Sequence, residues 1–167
     1  MSDLVMQTGA DFSADRTRRT LLWRIWDASL PLLCIVGMNP SKASETDDDP
    51  TSTRGIKRSM LLGFGGLLLP NVFDLIETDS RKLITLAAAG VVLSSPENDA
   101  AIICAAKRAG MVICGWGKPG ELHGRGHAVL AMLRDSGIVP YALAINADGS
   151  PKHPLYVGYD VQPKAIL

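Results

Sequence analysis

The chain has 167 residues, of which 47% are hydrophobic and 20% are charged, as expected for a globular protein large enough to bury a core. Its 17 lysine and arginine residues balance 17 aspartate and glutamate residues. This balance of charge argues against non-specific binding of nucleic acid over a broad surface, although it is compatible with a local basic patch. No apolar run approaches the ~18 residues that cross a bilayer, so we expect no membrane partner.

Two features predict the organisation of the chain and its compartment. Residues 1–15 are polar and acidic without a secretory pattern, so we expect a flexible tail followed by a single α/β domain over residues 16–167. Three cysteines, Cys34, Cys104 and Cys114, lie within apolar stretches, and their odd number is typical of reduced, buried thiols. We therefore expect a cytoplasmic protein.

The first predicted strand runs from Thr20 to Trp26 and mixes β-branched, aromatic and charged residues. We interpret it as an N-terminal edge strand. A turn over residues 27–29 would return the chain, so that this strand pairs antiparallel with the next one, which begins at Leu32.

The strand from Leu32 to Val36 consists of five consecutive apolar residues, a pattern typical of a parallel strand covered on both faces. Gly37 follows it, and Asn39 then presents a carboxamide next to Pro40, which restricts the backbone there. Because ligands bind beyond the carboxyl ends of strands in open α/β sheets, Asn39 is a candidate site residue. The alternative is a turn asparagine that hydrogen-bonds within its own loop.

A loop from Ser41 to Pro50 leads into a predicted helix that begins with Thr51 or Ser52 as its N-cap and ends near Leu62. Spacings of three and four residues place its basic side chains on one face: Arg54, Lys57 and Arg58.

Three consecutive acidic residues, Asp47, Asp48 and Asp49, precede this helix and allow three interpretations. One of the last two could cap the helix and pair with Arg54 or Arg58. The acids could instead face a ligand, or they could hold Mg²⁺, which favours carboxylate oxygens.

A second buried strand is predicted from Leu67 to Phe73. Pro70 cannot donate to a ladder, so strand pairing should end there. Asn71 follows directly and offers a second carboxamide near the end of a strand.

The rest of the chain alternates helices with strands. Predicted helices begin at Asp79 or Ser80, at Ser95 and at His123, and they end at Ala89, Ala109 and Asp135. Predicted strands run from Met111 to Cys114 and from Tyr141 to Ile145, and the segment from Asp148 to Tyr156 has too many turn residues for regular structure. Such alternation predicts a parallel sheet with right-handed crossovers and helices on both faces.

His123 and His127 have the i, i+4 spacing that can bind zinc on a helix. Glu121 is the only acidic residue nearby, so we favour a surface role and expect no metal or cofactor.

Four residues with distinctive chemistry follow the predicted strands: Asn39, Asn71, Trp116 and His153. In a parallel sheet they would gather at one edge. A carboxamide can read the edge of an amide-like ring, an indole can stack on a base or wall a pocket, and an imidazole can hydrogen-bond to a carbonyl. Together they suit a nucleobase pocket.

The motifs resemble those of the uracil-DNA glycosylase superfamily. Val36–Ser41 is similar to the Gly-x-Asn-Pro motif of its mismatch-specific branch, and Leu67–Asn71 to its Leu-Leu-Leu-Asn strand. Val112–Gly117 looks like the Leu-Leu-Trp-Gly strand end, and His153–Leu155 resembles the terminal His-Pro-Ser motif. With Asp48–Thr51 added, the set looks closer still to an uncharacterised bacterial and phage family of small domains of unknown function.

This resemblance spans roughly Arg19 to Tyr156 and implies a three-layer α/β/α fold with a central, mainly parallel four-stranded sheet. It implies that Asn39 positions the attacking water or stabilises the sugar cation, that Asn71 reads the base edge, and that His153 stabilises charge on the leaving ring. The residues it implies for substrate binding are Gly37, Met38, Pro40, Ser41, Asp49, Thr51, Asn71 and Trp116. DNA or a nucleotide is the implied partner, with the base flipped out of the helix.

Three hypotheses about function stay open. The first is a glycosylase-like protein that binds a nucleobase or nucleotide and hydrolyses an N-glycosidic bond without a metal. The second is a non-catalytic module of the same fold that binds a modified base, DNA or a protein. The third is a Mg²⁺-dependent phosphate-ester enzyme that uses Asp47–Asp49. The sequence leaves the oligomeric state open.

Overall fold

The computed structural model describes residues 5–167, so residues 1–4 of the predicted tail lie outside it. Within the described residues, seven strands form one sheet in the order β1-β2-β4-β3-β5-β6-β7. The strands are β1 (Gln7–Phe12), β2 (Arg19–Ile25), β3 (Leu32–Val36), β4 (Gly66–Leu69), β5 (Met111–Cys114), β6 (Pro140–Ala142) and β7 (Lys164–Ala165). The helices are α1 (Pro50–Leu61), α2 (Lys82–Ala88), α3 (Pro96–Arg108) and α4 (Arg125–Asp135), with 3-10 helices at Lys118–Gly124 and Pro154–Tyr156. The predicted α/β class is confirmed.

Four neighbouring strands pair in parallel: β4 with β3, β3 with β5, and β5 with β6. The outer pairs β1–β2, β2–β4 and β6–β7 are antiparallel. The carboxyl ends of the four parallel strands therefore share one edge of the sheet, and the loops that follow them can meet there.

The apolar run of β3 faces two cores. Leu33 and Ile35 belong to a buried cluster against which Ile56 of α1 packs. Cys34 and Val36 belong to a second cluster that includes Ile102 of α3, together with side chains of α4. Side chains alternate across a strand, so a continuous apolar run fits only a strand that helices cover on both faces.

The N-terminal part of the sheet differs from the prediction in two ways. Gln7–Phe12 is a strand, so the prediction of a flexible tail is wrong for these residues, whose backbone pairs with β2. The predicted edge strand is consequently an interior strand, and its other neighbour is β4 rather than β3. The crossover from β3 places β4 between them, which the short turn before Leu32 did not reveal.

Several element boundaries follow local chemistry. Pairing of β4 ends at Leu69, directly before Pro70, as predicted. Helix α1 is capped by Asp49 and not by Thr51 or Ser52: the Asp49 carboxylate accepts from the Ser52 backbone N–H at 2.8 Å, and the Ser52 hydroxyl accepts from the Asp49 N–H at 2.9 Å.

The fourth predicted helix begins at Arg125 rather than His123. His123 has a left-handed φ of 57° and follows the short 3-10 helix, so the regular helix cannot include it. In residues 5–167, no helix combines the length and apolar character needed to cross a membrane.

The cysteines are all free, but they do not all match the prediction. Cys34 and Cys114 are buried, whereas Cys104 is exposed. Ile102, Ala105 and Ala106 form the buried side of α3, and Cys104 therefore faces solvent.

Candidate functional site

A cavity of about 740 Å³ opens at the carboxyl edge of the parallel strands. Its residues come from the loops after β3, β4, β5 and β6, so four separate parts of the sequence build one site. The lining includes Met38, Asn39, Ser41, Asp49, Thr51, Glu77, Trp116, Lys118, Asn146, Asp148, Lys152, His153 and Tyr156.

Most of the predicted site residues meet in this cavity. Both predicted catalytic residues, Asn39 and His153, line it, as do five of the predicted substrate-binding residues: Met38, Ser41, Asp49, Thr51 and Trp116. Gly37, Pro40 and Asn71 are not among the lining residues.

Asn71 and Gly37 pack against each other at the ends of β4 and β3. Their backbones form a parallel bridge, and Asn71 is 3% exposed. A Cβ at Gly37 would lie 2.5 Å from the Asn71 Oδ1, so only glycine allows this approach. Within residues 5–167 the Asn71 Nδ2 is buried without a hydrogen-bond partner.

The carboxamide of Asn39 bridges two loops. Its Nδ2 donates to the carbonyl oxygens of Glu77 at 2.8 Å, Pro40 at 3.0 Å and Leu75 at 3.4 Å. These bonds fix the orientation of the side chain. Among the described residues no donor binds Oδ1, which is thus the carboxamide atom free to accept a hydrogen bond from a ligand or a water.

His153 is held as a neutral imidazole. Its Nδ1 accepts from the backbone N–H of Leu155 at 3.2 Å, which requires the ring proton to be on Nε2. Burial lowers the pKa of His153, and the negative charge of Asp49 opposes this only in part. The ring therefore offers a neutral N–H donor at its Nε2.

Trp116 forms part of the cavity wall, and its side chain is locked in place. The residue is 1% exposed, and its Nε1 donates to the Glu121 carboxylate at 2.9 Å. Glu121 also contacts the Nδ1 of His127 at 2.7 Å, so this histidine lies against the carboxylate that holds the indole. Among the described residues no three His, Cys, Asp or Glu side chains are grouped to hold a metal.

A buried arginine holds the loop after β3 in place through an ion pair and hydrogen bonds. Arg24 of β2 is fully buried, and its guanidinium binds the Asp48 carboxylate at 3.0 Å and the carbonyl oxygens of Ser44 and Asp47 at 2.8 and 3.2 Å. Arg19 adds a bond to the carbonyl oxygen of Ala43 at 2.8 Å. This loop carries cavity residues at both of its ends.

The carboxylates of the acidic run, Asp47–Asp49, mainly form hydrogen bonds and ion pairs with other parts of the chain. Both oxygens of Asp49 are occupied, because Oδ1 caps α1 and Oδ2 accepts from the Ala43 N–H at 3.3 Å. The predicted capping role is therefore confirmed. The predicted pairing with Arg54 or Arg58 is wrong, since Asp48 pairs with Arg24 instead.

Arg54 and Arg58 hold the segment that follows His153. Each donates to the carbonyl oxygen of Val157 at 2.8 Å, and their guanidinium groups lie 4.5 and 5.2 Å from the ring centre of Tyr159. Helix α1 thus positions the chain that carries the imidazole.

Five polar residues that the sequence motifs did not single out also line the cavity: Glu77, Lys118, Lys152, Asn146 and Asp148. Each lies in a segment after a parallel strand, and the same positional argument that selected Asn39 could have found them. Polar residues of these types are common in loops, so the residue type alone did not distinguish them from other loop residues.

Residues 19–155 match the profile of a protein family described as "Protein of unknown function (DUF1643)". No curated protein and no solved structure matches the chain significantly.

Proposed function

This chain belongs to the DUF1643 family of proteins of unknown function, and we propose that its cavity binds a nucleobase or nucleotide and hydrolyses an N-glycosidic bond in DNA. The observation that carries this proposal is the convergence of Asn39, Trp116 and His153 on one cavity from loops after three different strands. Its volume of about 740 Å³ lies within the usual range for small-molecule sites.

His153 supplies the hydrogen bond that favours departure of the base. A base leaves the sugar with an extra electron pair, and negative charge develops on its ring carbonyl. A neutral Nε2–H donor aimed at that oxygen stabilises this charge as it forms. The hydrogen bond at Nδ1 and the lowered pKa support this role, because both favour the neutral ring.

Asn39 positions the water that attacks the sugar. Its Nδ2 is engaged by backbone carbonyls, so Oδ1 is the atom left to accept a hydrogen bond from water. Trp116 makes this part of the cavity wall rigid, since the buried indole is fixed by Glu121.

The finer description of the fold belongs to the same proposal. A three-layer arrangement like that of the uracil-DNA glycosylase superfamily is supported by the parallel pairing of β4, β3, β5 and β6 and by helices on both faces. We also propose a cytoplasmic location, which suits three unpaired cysteines.

The carboxylate oxygens of the acidic run are not suited to bind Mg²⁺. Asp49 uses both oxygens on backbone N–H groups, and Asp48 is paired with Arg24. Releasing either one would uncap α1 or leave a buried guanidinium without its carboxylate. We therefore set the phosphate-ester hypothesis aside.

The test measures base release from oligonucleotides that contain uracil or a mismatched base, detected as alkali-labile abasic sites. We expect release by the native protein and its loss in Asn39→Ala and His153→Gln. The exposed His123→Asn is the matched control and should keep full activity, because His123 is not among the residues that line the cavity and asparagine tolerates its left-handed φ of 57°. Thermal melting must show that each variant is folded.

Two results would contradict the proposal. DNA or base affinity without any release would favour a non-catalytic binding module. Release that survives both Asn39→Ala and His153→Gln in folded protein would show that the chemistry occurs elsewhere.

A further inference from the structure

Glu77 lines the cavity beside Asn39, and the backbone fixes the two residues relative to each other. The Glu77 N–H donates to the Pro40 carbonyl oxygen at 3.1 Å, while the Asn39 Nδ2 donates to the Glu77 carbonyl oxygen at 2.8 Å. The segment after β4 is thereby locked to the segment after β3. The backbone of Glu77 is thus fixed against the Asn39 carboxamide, and both residues line the same cavity.

Glu77 is half-buried, and a hydrogen bond orients its carboxylate. Its Oε1 accepts from the Asp79 backbone N–H at 3.0 Å. Among residues 5–167 no donor binds Oε2, and no arginine or lysine forms an ion pair with Glu77. One oxygen therefore stays available in a partly desolvated position.

The two other cavity carboxylates are less suited to accept a proton. Asp49 has both oxygens occupied by backbone N–H groups. Hydrogen bonds from Ser150, with a smaller contribution from the charge of Lys118, lower the pKa of Asp148 and make it a weaker base. Glu77 accepts one backbone N–H on Oε1 and keeps Oε2 without a donor among the described residues.

We propose that Glu77 is the general base of the hydrolysis, a role that rests on the proposed function. Asn39 cannot fill it, because a carboxamide does not take up a proton at neutral pH. The Glu77 carboxylate removes a proton from a water held by the Asn39 Oδ1. The water oxygen forms a bond to the anomeric carbon as the carbon–nitrogen bond breaks.

The step balances without a further reactant. The electron pair of the broken bond goes to the base, where the His153 Nε2–H stabilises it. The proton from water stays on Glu77 until it passes to the departing base or to solvent. The products are the free base and a sugar with a hydroxyl at its anomeric carbon.

The experiment compares Glu77→Gln with the native protein in steady-state base release over a range of substrate concentrations. Glutamine keeps the shape and the acceptor for the Asp79 N–H but takes up no proton. General base catalysis contributes about 10²–10⁴-fold, so we expect kcat to fall at least about 100-fold with KM nearly unchanged. Formate added to Glu77→Ala should restore part of the rate, which a purely structural role would not produce.

Glu97→Gln, on the exposed first turn of α3, is the matched control and should retain the native rate. A folded Glu77→Gln variant with more than half of the native kcat would overturn the role of Glu77 while leaving the proposed function intact. A native protein that releases no base would overturn both.

Discussion

The imidazole Nδ1 of His153 accepts a hydrogen bond from the backbone N–H of Leu155 at 3.2 Å. This bond caps the short 3-10 helix at Pro154–Tyr156 and exists only while Nδ1 carries no proton. Protonation at Nδ1 would remove the cap and put a charge in a mostly buried position. The geometry and the burial therefore both favour the neutral ring.

We predict that His153 titrates below its usual value of 6.5 and that the protein loses stability as it protonates. The unfolded chain takes up a proton on this histidine at a higher pH than the folded chain does. Stability therefore rises with pH through the window below 6.5 and is fully present above it. NMR titration of the ring measures the midpoint, and urea unfolding from pH 5 to 7.5 measures the stability.

The control for this prediction is His153→Gln, in which the same part of the pH dependence should disappear. A midpoint at or above 6.5, or a native protein and variant with parallel pH curves, would contradict it.

We predict that Arg24→Lys destabilises the protein by about 3 kcal/mol, in the range found when a buried charge loses its partners. Lysine cannot span the Asp48 carboxylate and the carbonyl oxygens of Ser44 and Asp47 as the planar guanidinium does. Guanidinium unfolding measures the change. The exposed Arg16, paired with Glu45, is the control, and Arg16→Lys should leave the stability almost unchanged.

We predict that Asn39→Asp lowers the free energy of unfolding by about 2 kcal/mol at pH 7, because it places a carboxylate against carbonyl oxygens that now receive N–H bonds. Asn146→Asp is the comparison. Its Nδ2 makes a single hydrogen bond, to the Ser150 hydroxyl, whereas the Asn39 Nδ2 contacts three carbonyl oxygens, so we expect a smaller loss there. Equal losses in urea unfolding would refute this account.

We predict that Lys118 and Lys152 contact phosphate at the cavity mouth, since both line the cavity without an ion-pair partner among the described residues. Replacing both with alanine should weaken oligonucleotide binding and reduce the salt slope by about 1 for each lost contact. Fluorescence anisotropy at several salt concentrations measures both quantities. Lys107→Ala, on α3 away from the cavity, should change neither.

The sequence predicted where the candidate site lies, but it did not predict which hydrogen bonds the side chains of the site make. The apolar run before Gly37 and the proline at position 70 marked two strand ends correctly, because both are local features of backbone and burial. Asn39 was found by its place after a strand. Glu77 was missed although it lies beside Asn39, since nothing local distinguishes a glutamate in a loop.

The edge strands of the sheet were not predicted from the sequence, for a related reason. Gln7–Phe12 is polar and short of apolar residues, and only its pairing with β2 makes it a strand. Position Asn71 was predicted to read a base, yet the close approach to Gly37 buries it away from the cavity lining.

Local periodicity and the positions of glycine and proline determined the succession of strands and helices along the chain. That succession indicated the edge of the sheet at which the loops after the strands would meet. Which atoms remain free at that edge was decided only by tertiary structure. The Asn39 amide meets carbonyl groups 36 and 38 residues further along the chain, and these contacts leave Oδ1 open. Hydrogen-bond partners so distant depend on how the loops close in space, which no local pattern specifies.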